Sequence, residues 1–292
     1  MNTIPLTLDA YRPTYTVLGG GRGSGCKDSF PVSVLLLNRG PRLYRAAMIQ
    51  ELVKVGFDSI VSMEGLSDSP ELESLASKYP QARFVCLHED CNLGVKINIG
   101  MRESCSPFVF VLWNDMRLAT STLSSRFFDK VVDLDAACLV PTLNDAAGSL
   151  VPSISHPAQS GASFKVVPLL PKLDGEKCLY PFDGCGIYSR DRFASLGGFD
   201  WTLENPYWQK LDFGMRAWLW GEKICYAQAL RLNYEGSPPP EDTTPDADYG
   251  RFWLKNLAPA HRGDSAVLPR SRLWSYLVRS RKSLAAAIEE FK

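Results

Sequence analysis

The chain has 292 residues, with 32 Lys and Arg set against 32 Asp and Glu, so it carries no formal net charge. That length suits one large α/β domain or two small ones, with a core that needs no disulfides. Zero net charge excludes binding driven by bulk charge, and no nucleic-acid partner is expected. No apolar run is long enough to cross a bilayer, and Met1 to Ala10 lack the basic and apolar regions of a secretory signal. The eight cysteines are scattered without a CxxC pair, the pattern of a reduced, cytoplasmic protein. Cys86, His88 and Cys91 lie close together but lack the second ligand pair that zinc requires.

Residues 1–29 read as an irregular arm. Gly19 to Lys27 has the glycines of a P-loop, but Cys26 separates Gly25 from Lys27, and Asp28-Ser29-Phe30-Pro31 stands where a helix is needed. It is expected to be a Gly-rich loop. Val32–Leu37 then reads as a strand buried on both faces. Pro41 suits the first turn of a helix running to Val55, closed by Gly56. Asp58–Met63 is a second strand, Glu71–Tyr79 a second helix stopped by Pro80, and Arg83–Leu87 a third strand. Val95–Ser104 is a helix and Pro107–Leu112 a fourth strand. Strands alternating with helices predict a mostly parallel sheet with right-handed crossovers.

Beyond this the pattern loosens. Thr120–Asp133 reads as a helix and Ala136–Pro141 as a strand, while Asn144–Lys177 is a long loop rich in Gly, Ser and Pro. Tyr180–Tyr188, a helix over Pro206–Trp220 and a strand over Lys223–Ala227 restore order. Ser237-Pro238-Pro239-Pro240-Glu241-Asp242 marks a boundary, followed by helices over Tyr249–Leu257 and Arg272–Phe291. The division expected is an arm (1–29), one α/β domain (30–236) and a linker with a helical tail (237–292).

The run from Ser106 to Arg117 ends an apolar strand in an acid, Asp115. In an open α/β sheet, ligands bind beyond the carboxyl ends of the strands. A carboxylate leaving a buried strand there can hold a divalent cation, and the cation a diphosphate. Alternatively, Asp115 begins a turn or caps a helix.

Several segments, taken in order, resemble glycosyltransferase family 2, whose members have the GT-A fold. Val32 to Arg39 is similar to the family's first strand and nucleotide-facing turn, and Ser59 to Gly65 to its second strand. Asn92-Leu93-Gly94 with Asn98-Ile99-Gly100 resembles the turn and helix before the metal motif, and Trp113-Asn114-Asp115 falls where the family has Asp-x-Asp. Gly184 to Arg190 and Leu196 to Asp200 resemble the acceptor-side region. Gln209 to Arg216 falls where the family begins its acidic helix. The resemblance covers about residues 30 to 230.

It implies a Rossmann-like α/β sheet of GT-A type. The implied activity is transfer of a sugar, with inversion, from a UDP- or GDP-sugar to a hydroxyl on a glycan or glycolipid. The implied cofactor is a divalent cation, Mn²⁺ or Mg²⁺, at Asp115. Asn38, Arg39, Glu64, Asn92, Lys96, Asn114 and Asp115 are the implied donor-binding residues. Asp212, Glu204 and Asp200 are the candidates for the base, and Tyr207 and Trp208 for the acceptor site. The chain departs from the pattern at Trp113, which replaces an acid of the metal motif and cannot ligate a metal, and at Lys210, where a carboxylate is expected. Both departures fit an alternative: a catalytically inactive GT-A-like protein that binds a nucleotide or glycan as a scaffold.

Two further readings come from the residues alone. Arg216 stands four residues after Asp212, the spacing of an ion pair along a helix. The tail interleaves Arg270, Arg272, Arg279, Arg281 and Lys282 with apolar residues. Such a helix offers either peripheral contact with an anionic membrane, at its inner cytoplasmic face, or packing against the core or a homo-oligomeric partner.

Overall fold

The computed structural model describes residues 11–20, 30–39, 42–65, 70–120, 123–160, 163–262, 265–280 and 285. Its centre is the strand predicted to be buried on both faces, β2 (Phe30–Leu37), after an edge strand β1 (Tyr15–Gly19). In β2, Val32, Val34 and Leu36 join one core cluster with Met48, Ile49 and Leu52, while Leu35 and Leu37 join a second with Ile97, Ile99 and Phe213. A strand alternating between two apolar layers is the signature of a sheet covered on both faces.

The next elements follow the predicted alternation: α1 (Arg42–Val55), β3 (Phe57–Glu64), α2 (Pro70–Lys78), β4 (Ala82–Leu87), α3 (Leu93–Glu103) and β5 (Phe108–Trp113). They continue with β6 (Met116–Leu118), α4 (Ser125–Asp133), β7 (Cys138–Asn144), β8 (Ile154–Ser160) and β9 (Ser163–Leu169). After a 3₁₀ turn over Phe182–Gly184 come β10 (Gly186–Ser189), α5 (Arg190–Ser195), α6 (Pro206–Leu219) and β11 (Ile224–Tyr234). The last large elements are α7 (Ala247–Phe252), a π-helical turn over Trp253–Leu257, and α8 (Arg270–Ser280).

The main sheet has the order β1-β4-β3-β2-β5-β10-β7-β11-β6. The block β4-β3-β2-β5 is parallel, and β10 is inserted antiparallel between β5 and β7. In the β2–β5 register Leu37 faces Trp113. Asn38-Arg39 and Asn114-Asp115 therefore leave the sheet side by side at its carboxyl edge.

Two expectations are corrected. The arm is not wholly irregular: Tyr15–Gly19 adds antiparallel to β4, with Tyr15 opposite Leu87. An edge strand is only half covered, so its apolar signal is weak. The Gly-rich stretch from Gly21 to Ser29 lies outside the described residues. Asn144–Lys177 is not a structureless loop either, since β8 and β9 form a two-stranded ribbon. Pro157 and Pro168 sit in that ribbon, where both strands are edges and a missing N–H is tolerated, and they mask the strand pattern. The segment after residue 237 packs onto α6. Glu241 bonds Lys210 of α6, and Phe252 of α7 packs against Trp208.

Helix α8 packs one face inward: Tyr276 is buried and stacks on Trp253 at 6.3 Å, while Trp274 and Val278 face outward. The expected helix beyond Ser280 lies largely outside the described residues. Among the described residues no helix is long and apolar enough to cross a membrane. The seven described cysteines are free, and His88 Nε2 lies 2.8 Å from Thr16 Oγ1.

Candidate functional site

Asn114 fixes the exit of β2. Its N–H donates to the Leu37 carbonyl (2.9 Å), and its Oδ1 accepts the Arg39 N–H (2.9 Å). Arg39 is thereby aimed between two carboxylates. Its Nε donates to Asp115 Oδ2 at 2.7 Å, and its Nη1 lies 2.8 Å from Asp183 Oδ2. The guanidinium carbon sits 4.3 Å from the centroid of the Trp113 ring and 5.6 Å from that of Tyr234. Two oxygen partners and two aromatic faces form a cage suited to a planar cation. Burial alone lowers the Arg39 pKa, but Asp115 and Asp183 reverse this and the group stays firmly charged.

Asp183 is the other pivot. It has φ 55°, a left-handed backbone that a non-glycine residue seldom adopts, and it is buried. The Trp113 indole N–H donates to its carbonyl (3.0 Å), and the Tyr234 hydroxyl to its Oδ2 (3.0 Å). Strain of this kind persists only where the surroundings over-determine the conformation, and it gathers at functional sites. Burial pushes the Asp183 carboxyl above the usual range, against the opposing pull of Arg39 and Lys210.

Arg39, Trp113, Asp183, Tyr207, Lys210 and Glu241 line a cavity of about 250 Å³. Lys210 is buried, donates to Glu241 Oε1 (2.6 Å) and lies 5.6 Å from the centroids of both Tyr180 and Phe182. The Tyr180 hydroxyl closes the other side of Glu241, at 2.6 Å from Oε2. Burial, then Glu241, pushes the Tyr207 hydroxyl up to about 12.

Beside this cavity Asn38 Nδ2 donates to the Met63 carbonyl (2.7 Å) and to Glu64 Oε1 (3.1 Å). The second oxygen of Glu64 is held by Arg45 Nη1 at 2.7 Å. Glu64 is thus a buried structural partner, and the acceptor left over is Asn38 Oδ1, buried with no hydrogen-bond partner. Asp115 Oδ1 and Arg39 Nη2 are likewise buried and unpartnered.

The remaining expected site residues stand elsewhere. Asn92 caps α3, accepting from the Val95 N–H at 3.0 Å, and its Nδ2 donates to the Trp201 carbonyl at 3.1 Å. Lys96, half-buried on α3, does not line the cavity. Glu204 is exposed, near Asn92. Asp200 is buried on Thr202 and Lys255. Burial raises its carboxyl, but Lys255 and the Thr202 bonds win and hold it below the usual range. Asp212 is fully buried: Oδ2 takes Arg216 Nε at 2.9 Å and Oδ1 takes Asn256 Nδ2 at 2.8 Å. Its geometry is that of a structural ion pair, as the spacing to Arg216 suggested, and no candidate base among Asp212, Glu204 and Asp200 faces the cavity. Tyr207 does line the cavity, but Trp208 packs on Phe252 and Tyr249 and donates to the Thr244 carbonyl.

Sequence reasoning missed Asp183, Tyr234 and Glu241. The one local signal for Asp183 was its place before Gly184 in a turn, which does not reveal a site by itself.

No protein-family model and no curated protein matches this chain in sequence. Solved structures do match its fold. Staphylococcus aureus TarS 1-349 in complex with UDP-GlcNAc superposes with a TM-score of 0.55 at 14% identity, covering 89% of this chain and 78% of that one. GalNAc-T7 with UDP, GalNAc and Mn²⁺ gives a TM-score of 0.52 at 15% identity, over 90% of this chain. This chain spans only 57% of that GalNAc-T7 structure, and 38% of another S. aureus TarS structure. The fold is that of the GT-A glycosyltransferases.

The GalNAc-T7 structure holds Mn²⁺, but the residues around Asp115 here do not fit a metal site. Trp113 offers no ligand, Asp115 Oδ2 is taken by Arg39, and the same guanidinium holds Asp183. An ion at Asp115 would meet one spare carboxylate oxygen and an arginine cation beside it. Among the described residues no group of three or more His, Cys, Asp and Glu is placed to hold a metal ion. The Mn²⁺ of the GalNAc-T7 structure is in line with the expected divalent cation, but no metal site is seen among the described residues.

Proposed function

We propose that this chain is a glycosyltransferase that moves a sugar from a nucleoside-diphosphate sugar to a hydroxyl acceptor. The observation that carries the reading is the caged Arg39 at the carboxyl ends of β2 and β5, opening into a cavity that also holds Lys210 and Asp183. This is the edge of an α/β sheet where ligands bind. A UDP-sugar is the favoured donor, because the fold neighbours were solved with UDP and with UDP-GlcNAc.

In this reading Asn38 Oδ1, the unpartnered acceptor, takes an N–H or O–H of the nucleoside. Arg39 and Lys210 face the diphosphate, to which Arg39 can donate a charge-assisted hydrogen bond from its unpartnered Nη2. Asp183 is the base. Its raised carboxyl is better matched to proton transfer near neutral pH than an ordinary aspartate. The acceptor hydroxyl gives its proton to Asp183 and its oxygen attacks the anomeric carbon. The bond from that carbon to the diphosphate oxygen breaks in the same displacement, so the centre inverts. Tyr207 is the aromatic wall for the acceptor sugar. Arg39→Gln, Asp183→Asn and the parent are to be compared for release of sugar from UDP-sugars without acceptor. Slow release by the parent alone supports the transferase. Nucleotide binding with no release in any mixture points instead to the silent scaffold.

A further inference from the structure

We infer that Arg39 takes the place of a divalent cation in this chain, so that donor binding needs no metal ion. The inference rests on the reading above, that the cavity takes a nucleoside diphosphate. The Asp115 carboxylate, the expected ligand, already has a cation on it at 2.7 Å. That cation is built into the chain, and its main-chain N–H is pinned by Asn114. Trp113 then acquires a purpose. An indole gives a metal ion nothing, but it gives a guanidinium a π face, here at 4.3 Å, with Tyr234 close to the same cation.

Two details point to a ligand still to come. Arg39 Nη2 is buried with no acceptor, although Nε and Nη1 both have one. A buried N–H without a partner is costly, and a phosphate oxygen would satisfy it. The guanidinium also lines the cavity itself, together with Lys210 as a second cation. A diphosphate entering there meets Arg39 Nη2 and the Lys210 ammonium, cations already paired with Asp115, Asp183 and Glu241, and shares them with those carboxylates; a bound metal ion stabilises the same phosphate charge in other sites.

The test is calorimetric titration of the whole chain with UDP, GDP, CDP and ADP, in EDTA and again in Mn²⁺. The expected result is one nucleotide that binds with the same dissociation constant, within about threefold, in both buffers. Arg39→Gln should weaken it at least about tenfold, with Mn²⁺ giving no rescue. Arg39→Lys, which keeps charge but loses the fork, should fall between. Binding that is lost in EDTA and restored by Mn²⁺ would overturn the inference and leave the transferase reading intact. Absence of binding by every nucleotide in both buffers would overturn both. The comparison of buffers on the parent needs no variant to fold.

Discussion

The Arg39 guanidinium lies over the Trp113 indole, 4.3 Å from the ring centroid, while the indole N–H donates to the Asp183 carbonyl at 3.0 Å. One side chain thus supports the cation from beneath and ties down the strained loop that carries its second carboxylate. A cation–π contact contributes about 0.5 to 2 kcal/mol according to its desolvation. Trp113→Leu removes both functions without removing charge. We expect UDP affinity to fall by about three- to tenfold in the calorimeter. Trp113→Phe, which keeps a ring but not the N–H, should lose less.

Asp183→Asn separates chemistry from binding. A general base contributes about 10²- to 10⁴-fold, so transfer should fall by that order while UDP affinity stays within severalfold. The pH dependence carries a sign. Burial raises the folded-state carboxyl above its unfolded value. The stability it contributes is therefore present below the unfolded pKa and lost as pH rises through the folded one. Asp183→Asn should consequently be no less stable than the parent to urea at neutral pH, and asparagine tolerates the left-handed backbone. In the parent, the acid limb of kcat/KM should lie above the ordinary aspartate range of about 3.9 and vanish in the variant. An acid limb that survives in Asp183→Asn assigns the base elsewhere.

Asp212 tests the opposite assignment. It is buried with Arg216, whose remaining nitrogens donate to the Leu196 and Gly198 carbonyls. Removing one partner of such a pair strands the other in the interior, at a cost of about 3 to 5 kcal/mol. Asp212→Asn should lower the urea midpoint by a corresponding amount, and the surviving folded molecules should transfer sugar at the parent rate. An unaltered urea midpoint combined with lost transfer would return Asp212 to the role of base.

These cases show which features can be read along a chain. Val32–Leu37 and Phe108–Leu112 were legible because a strand buried on both faces is almost wholly apolar, Ser33 apart, and Asn38, Arg39, Asn114 and Asp115 followed from where those strands end. Asp212 stayed open because an acid in the first turns of a helix looks the same whether it serves a substrate or an arginine one turn on. Its true setting depends on Asn256, which the sequence places far away. Asp183, Tyr234 and Glu241 converge from three distant segments, and no periodicity records that convergence. Trp113 read as the loss of a ligand. Its role appears only when Arg39, from the neighbouring strand, is seen above it.

Gly214 lets two effects of opposite sign compete. It lies inside α6, where alanine is favoured over glycine by about 1 kcal/mol. A Cβ there, however, would stand 2.0 Å from the Leu179 carbonyl oxygen and 3.2 Å from Tyr180 Cβ. Neither the helix nor the 179–180 backbone can yield at the far end of a flexible side chain, so overpacking at about 1 to 3 kcal/mol or more should win. The displaced segment carries Tyr180, whose hydroxyl holds Glu241 and whose ring faces Lys210. Gly214→Ala is therefore expected to lower both the melting temperature and the affinity for UDP. Gly56→Ala provides the contrast. Gly56 has φ 87°, and a Cβ there meets nothing within 4 Å. Only backbone strain, about 1 to 3 kcal/mol, should register there, with UDP affinity unchanged. Equal loss of affinity in both variants would mean that global destabilisation, rather than the Tyr180–Glu241–Lys210 wall, controls the site.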